Sequence, residues 1–457
     1  MSNIMIFLSA GIPPAPPRIF WYYQITGNEA VFMLLYTVQS GESLYQIARR
    51  FGVPPQRIIL DNGLANPQNL PVGLHLLLLT PAVTYTVRQG DTLSAIAERF
   101  GVTVVVLLQN NPQLILSPTL QVGQEIVIGF TAGKRRQVAI NGYAYDFIQP
   151  DTLRRALPYL TYLTIFGYGF TPEGRLIPPA DGPLLELARQ YQAVPVMLLS
   201  SITGSGNFSP QLASQLFQDA VLQNRVLANL LAVMDQKGYR GLDIDFEFIV
   251  EEDAEAYLRF LENAASQLHA RGYFLHVDLA PKTSGEQKGL LYEAHDYESI
   301  GAIADFVLMM TYEWGYTYGP PMAVAPLNQV RRVVEYGASV VPREKIFMGL
   351  PNYGYDWILP FQRGITRATA IGNQYAVEIA QRQGAAIQFD TAAQSPWFSY
   401  SRDGLDHVVW FEDVASVEQK YNLMDEFSLL GGGYWNVMRP FQQNWSFLAA
   451  RYNIEKK

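Results

Sequence analysis

Three acidic residues alternate with apolar ones in Gly241-Leu242-Asp243-Ile244-Asp245-Phe246-Glu247-Phe248. Successive side chains of a β-strand point to opposite faces, so Leu242, Ile244, Phe246 and Phe248 are expected on one face and Asp243, Asp245 and Glu247 on the other. Three carboxyl groups a few ångströms apart cannot all ionise cheaply. Protein cores pair or avoid such groups, so the segment points to chemistry. Two kinds fit. A hard cation takes several oxygen ligands; an acid–base system needs a carboxyl that its surroundings keep protonated. Histidine is scarce, with five in the chain, and cysteine is absent, which rules out thiolate metal sites, disulfides and a cysteine nucleophile. No histidine is spaced as a metal-binding pair with these acids. No metal and no cofactor are expected.

The elements that must position these acids follow from the apolar runs. Strand candidates fall at Gln137–Tyr145, Leu160–Phe170, Val194–Ile202, Gly241–Phe248, Tyr273–Ala280, Asp305–Tyr312, Ile346–Tyr353 and Gly432–Val437. Helical patterns such as Pro210–Lys237 and Asp253–Arg271 lie between most of them. This alternation predicts an α/β fold with a parallel sheet, and eight strands fit a closed (β/α)8 TIM barrel over residues 137–450. The acids then line its interior, with Glu247 nearest the C-terminal mouth, where barrel active sites sit. The stretch Asp356–Asp406 reads as an α+β insertion in a βα loop.

Upstream, the chain repeats itself. Tyr36-Thr37-Val38 and Gly41-Glu42-Ser43-Leu44 recur as Tyr85-Thr86-Val87 and Gly90-Asp91-Thr92-Leu93. Phe51-Gly52-Val53 recurs at the same offset as Phe100-Gly101-Val102. Each unit, 36–80 and 85–129, reads strand–helix–helix–strand. Ser43 and Thr92 suit helix N-caps, and Gly52 and Gly101 suit the left-handed stop. The separate apolar patterns predict separate cores for repeats and barrel. Residues 1–35 read as an N-terminal extension, of which 1–32 match nothing that follows; Met33 is a candidate start, and the apolar stretch Ile4–Ile12 lacks the preceding positive residue that a signal peptide requires, the first being Arg18. The net charge of −8 argues against nucleic acid, and no apolar stretch is long enough to insert in a membrane.

The two repeats resemble the lysin motif (LysM), a module that binds N-acetylglucosamine polymers. The resemblance implies sugar contacts at Gly41, Glu42, Ser43, Leu44 and Asn62, and at Gly90, Asp91, Thr92, Leu93 and Asn110. Asp-x-Asp-x-Glu on the fourth barrel strand resembles the signature of glycoside hydrolase family 18, the chitinase family. That resemblance implies Glu247 as general acid/base, Asp245 as the group that orients the substrate's N-acetyl arm, and Asp243 as its charge-sharing neighbour. Tyr312, in Met309-Met310-Thr311-Tyr312-Glu313, matches the tyrosine that hydrogen-bonds the reacting acetamide. Trp435 matches the tryptophan beneath the bound sugar; Tyr353, Asn352 and Glu313 are weaker candidates for the same pocket.

Departures point away from chitin. Arg240 and Glu313 stand where the family has aspartates, and Leu199-Ser200-Ser201-Ile202 replaces a Ser-x-Gly-Gly segment. The segments Thr311–Gly315 and Gly319–Ala323 resemble a bacterial subgroup that acts on spore-cortex peptidoglycan during germination. The expected protein is therefore a retaining, substrate-assisted hydrolase in the cell wall or spore. A chitinase and a non-catalytic wall-binding lectin are the alternatives.

Overall fold

The computed structural model describes residues 33–457 apart from 131–133, 135, 204–206 and 290, so the expectations for residues 1–32 lie outside it. Eight parallel strands close into a barrel: β1 (Gln137–Tyr145), β2 (Tyr162–Phe170), β3 (Val194–Leu199), β4 (Gly241–Ile244), β5 (Phe274–Leu279), β6 (Phe306–Met309), β7 (Ile346–Pro351) and β8 (Gly431–Trp435). β8 pairs back onto β1, which completes the ring. The expected α/β barrel is present, with shorter strands. β4 ends at Ile244, so Asp245 and Glu247 lie just beyond it. Phe248 adopts a left-handed φ of 58° and is exposed, so it leaves the face that Leu242, Ile244 and Phe246 share.

The lower end of the barrel is filled by aromatic side chains, among them Tyr162, Phe274, Phe306 and Phe347. Close packing above them leans on Gly349, where a Cβ would lie 2.8 Å from the Tyr312 ring. The helical pattern Pro210–Lys237 is two helices, Pro210–Gln218 and Ala220–Lys237. Asp219 breaks it because its carboxylate accepts from the Val221 and Leu222 amides and so caps the second helix. Between β7 and β8 the insertion forms a five-stranded antiparallel sheet and the helix Asn373–Gln383.

Each repeat pairs its outer strands antiparallel, Met33–Thr37 with His75–Leu79 and Pro81–Thr86 with Glu125–Phe130. The first strand thus starts at Met33, ahead of the expected boundary. Ser43 and Thr92 cap their helices, and Gly52 and Gly101 end them at φ 67° and 65°. The expectation of separate cores is corrected. Strand His75–Leu79 is buried along its whole length, so both of its faces need cover. Leu76 and Leu78 pack with Ile371, Phe398 and Val409 of the insertion. Leu77 and Leu79 pack with the barrel's own core, including Leu157, Trp445 and Leu448.

The C-terminal helix Gln442–Arg451 is buried throughout, wedged between repeats and barrel. Gln443 donates to Asn62 Oδ1 at 2.7 Å and to the His75 carbonyl at 2.8 Å, and His75 Nδ1 lies 2.6 Å from Asp413 Oδ2. Arg57 of the first repeat donates to the Asn110 carbonyl of the second at 2.8 Å. No single helix among the described residues is long and apolar enough to cross a membrane.

A shared core predicts shared melting. Leu77→Ala should cost about 2–5 kcal/mol and lower the unfolding temperature of the barrel together with that of the repeats. Calorimetry checks this: a shifted repeat transition beside an unmoved barrel transition would show the cores to be independent.

Candidate active site

The β4–β5 register sets Asp243 beside His276, with Nδ1 3.1 Å from Asp243 Oδ2. From β1, Tyr143 reaches across the barrel. Its hydroxyl oxygen lies 2.9 Å from Asp243 Oδ2 and 2.7 Å from Asp278 Oδ1. All four side chains are buried. Asp245 follows at the end of β4, its amide bonded to the Leu199 carbonyl at 3.0 Å, and its side chain is buried as well. Glu247 is half-buried above them.

Burial, then Glu247 and Asp243, push the Asp245 carboxyl well above the usual range. Burial, then Asp243 and Asp245, do the same to Asp278. Glu247 is raised too, by burial and by the neighbouring Glu313. The expected interior stack of acids is therefore present, and Glu247 is suited to hold a proton for donation. Tyr312, after β6, is buried against the same acids.

Glu313 has a left-handed φ of 67°. Its carboxylate accepts from the Tyr355 hydroxyl at 3.0 Å and from the Tyr353 hydroxyl, so Tyr353 is committed to holding Glu313. Asn352 is wholly enclosed, which corrects its assignment to substrate. Its amide donates to the carbonyls of Asn436 and Arg439 at 2.9 and 2.8 Å, bracing the loop after β8. Trp435 is half-buried at the end of β8, with ring centroids 5.8 Å from Tyr143, 5.9 Å from Tyr145 and 5.4 Å from Phe166. Exposed Phe147, Phe208, Phe248, Tyr316 and Tyr318 follow the ends of β1, β3, β4 and β6. Gathered past the C-terminal ends of the barrel strands, these exposed rings make a candidate binding surface.

Sequence reasoning missed Tyr143, His276 and Asp278. The signal was available, because Phe274-Leu275-His276-Val277-Asp278-Leu279 alternates as the fourth strand does. Asp243, His276 and Asp278 offer ligand atoms within 4.8 Å of one another. Two carboxylate oxygens and one nitrogen fall short of the six to eight oxygens that calcium takes, and the Tyr143 hydroxyl already contacts both carboxylates.

In the repeats, Glu42 and Asp91 build the turn. Glu42 accepts from the Tyr36 hydroxyl at 2.6 Å and pairs with Arg50; Asp91 accepts from the Tyr85 hydroxyl at 2.9 Å. Gly41, Ser43, Gly90 and Thr92 are exposed, Leu93 is half-buried, and Leu44 belongs to the core. Asn62 and Asn110 point inward, which corrects both as sugar contacts. The Asn62 amide bonds Ile58 and Leu77 backbone, tying helix to strand. Its counterpart in the second repeat is Asn111, which makes the same bonds to Leu107 and Val127. Asn110 donates to the Ile128 carbonyl instead.

The sequence pattern of Glycosyl hydrolases family 18 matches residues 154–439, and that of the LysM domain matches 36–78 and 85–129. The chain is similar to the cortical fragment-lytic enzyme of Bacillus anthracis, at 39% identity over 433 residues, covering 92% of this chain and 99% of that protein. The crystal structure of the Bacillus cereus spore cortex-lytic enzyme SleL matches with a TM-score of 0.79 at 39% identity, covering 93% and 99%. A chitinase from Chromobacterium violaceum ATCC 12472 shares the fold, with a TM-score of 0.63 at 24% identity over 68% of this chain and 98% of that one.

The Glu247–Glu313 repulsion has a measurable sign. Like charge raises a carboxyl pKa, so Glu313→Gln should move the Glu247 titration to lower pH. Carboxyl NMR of the parent and variant reads this directly; an upward or absent shift would remove Glu313 as a cause.

Proposed function

The chain belongs to glycosyl hydrolases family 18, and from that premise we propose that it hydrolyses spore-cortex peptidoglycan at N-acetylglucosaminyl linkages, held on the wall by its LysM repeats. It is a glycoside hydrolase, and its two kinds of domain imply a polymer of the peptidoglycan or chitin type. Likeness to cortex-lytic enzymes over nearly the whole chain, repeats included, carries the choice of cortex. Residues 36–80 and 85–129 are the binding units, 137–450 the catalytic unit, and the cell wall or spore the place of action.

Glu247 gives its proton to the leaving oxygen as the bond to the anomeric carbon breaks. The carbonyl oxygen of the substrate's own 2-acetamido group attacks that carbon and forms a cyclic oxazolinium-type intermediate, one of the exceptions to the two-carboxylate scheme. Asp245 accepts the acetamide N–H, and the Tyr312 hydroxyl steadies its carbonyl. Asp245 rests protonated, so it passes its proton to Asp243 as it takes this role. Water then attacks, Glu247 recovers a proton, and configuration is retained. Trp435 forms the floor under the sugar, with Tyr353 and Glu313 as its wall. Gly41, Ser43, Gly90 and Thr92 are the repeat residues offered to glycan. The reacting sugar is N-acetylglucosamine, because the lactyl-peptide arm of muramic acid would crowd the acetamide as it turns towards the buried Asp245 and Tyr312.

Glu247→Gln should lower turnover of purified cortex by about 10²–10⁴-fold while leaving retention on cortex intact. Reducing-end release and a sedimentation assay measure the two; activity within tenfold of the parent would remove Glu247 from the role. Mass spectrometry of parallel cortex and chitin digests should show fragments ending in reducing N-acetylglucosamine, with cortex cut faster. Reducing muramic acid ends, or faster chitin turnover, would contradict the bond and substrate proposed.

A further inference from the structure

The contacts of Tyr143 fix a proton count. A phenol carries one hydrogen and can donate it to one oxygen. Its oxygen nevertheless lies within hydrogen-bond distance of two carboxyl groups, 2.9 Å from Asp243 Oδ2 and 2.7 Å from Asp278 Oδ1. Both contacts are hydrogen bonds only if one of the acids is itself protonated and donates to the phenol. Asp243 Oδ2 accepts from the phenol, with the His276 ring nitrogen 3.1 Å away, and a hydrogen bond received favours the ionised form. Asp278 has the phenol as its one hydrogen-bond partner among the described residues. Around it stand acids and tyrosines: Asp243, Asp245 and Glu247 from β4 and its end, Tyr312 after β6, and Tyr257 from the helix Ala254–His269, with His276 on its own strand. No lysine or arginine among the described residues pairs with it.

We propose that Asp278 is a positioning residue that stays protonated and donates through the Tyr143 hydroxyl, thereby fixing Asp243 as the ionised member of the acid cluster. The chain runs from the Asp278 O–H to the Tyr143 oxygen, and from the Tyr143 O–H to the Asp243 carboxylate. Donation into a phenol strengthens the hydrogen bond that the phenol gives. The cluster then carries its negative charge on Asp243 at rest, and Asp245 keeps the proton that it later hands over. No proton is gained or lost; the charge passes from Asp243 to Asp245 when Asp245 takes the acetamide. The inference rests on the roles of Asp245 and Glu247 proposed above.

The test uses the full chain on solubilised cortex glycan, with kcat and KM measured against pH. Tyr143→Phe removes the donor to Asp243, so the Asp243 charge is harder to form and the acid limb of kcat should move to higher pH by about one unit. On the acid side of the profile turnover should therefore fall by up to about tenfold while KM stays within about twofold. Asp278→Ala should behave alike, and the double variant should be no worse than Tyr143→Phe alone, because both break one path. Asp278→Asn is the discriminating variant: its amide is neutral and donates, so it should keep kcat and the acid limb close to the parent. An Asn variant as damaged as the Ala variant would overturn the proposal, as would a Tyr143→Phe profile that overlays the parent. Activity lost to a chelator and restored by a divalent cation would overturn it as well. If Asp278→Ala does not fold, Tyr143→Phe and Asp278→Asn decide the question between them. Glu247→Gln in the same assay separates the two readings: if it stays active the catalytic assignment fails, whereas an inactive Gln variant beside an unmoved Tyr143→Phe profile rejects the relay alone.

Discussion

Four carboxyl groups stand at the upper end of one barrel, and an isolated charge there is expensive. Asp243, Asp245 and Asp278 are buried, and Glu247 is half-buried above them. Neutralising all of them with lysine or arginine would leave no acid to donate and no anion to grip an acetamide. The molecule instead lets the acids suppress one another's ionisation, which keeps protons in place at working pH. Much of the barrel follows from that choice. Tyr143 must cross the interior, so the layer beneath is closed by bulky side chains such as Tyr162 and Phe347. Tyr312 must lie against the acids, so its neighbour on β7 is Gly349.

The mouth shows the same economy of charge. Glu313 is a fifth acid near the reacting groups, yet two tyrosine hydroxyls satisfy it without a cation. Its effect on Glu247 is repulsive, which is the sign a general acid requires. Asn352, enclosed one residue before Tyr353, anchors the loop after β8 that begins at Trp435. The loop after Trp435 and the Glu313 carboxylate are thus tied by one short segment, Asn352-Tyr353.

What the sequence made legible were patterns that a single segment carries. Strict alternation in Gly241–Phe248 located the acids, and eight apolar runs located the barrel. Strand ends were less legible: Asp245, Glu247 and Phe248 continue the alternation, yet the paired strand ends at Ile244 and only the Asp245 amide bonds on, to the Leu199 carbonyl. Contacts that need two distant segments were hidden. Asp278 gains meaning only once Tyr143 arrives from a strand 135 residues away. Asn62 and Asn110 looked like loop residues because their inward bonds go to strands 15 and 18 residues on. Position alone also matched Asn62 with the wrong asparagine; the bonding pattern identifies Asn111.

Five leucines fall in Leu74–Leu79, the closing run of the first repeat, and the length of that run has a physical meaning. A strand with one face in solvent alternates; this one does not, because it separates two cores. The consequence reaches function. One residue, Thr80, lies between the last strand of the first repeat and the first strand of the second. Arg57 ties one repeat to the other, and Gln443 ties the first to the barrel. Repeats on a flexible linker raise local concentration and leave the approach of the barrel free. Repeats buried in the barrel's core do something more restrictive, since their exposed turns are held at a fixed position relative to the catalytic mouth. Gly90 and Thr92, exposed on the second repeat, therefore stand at a distance from Glu247 that the fold sets.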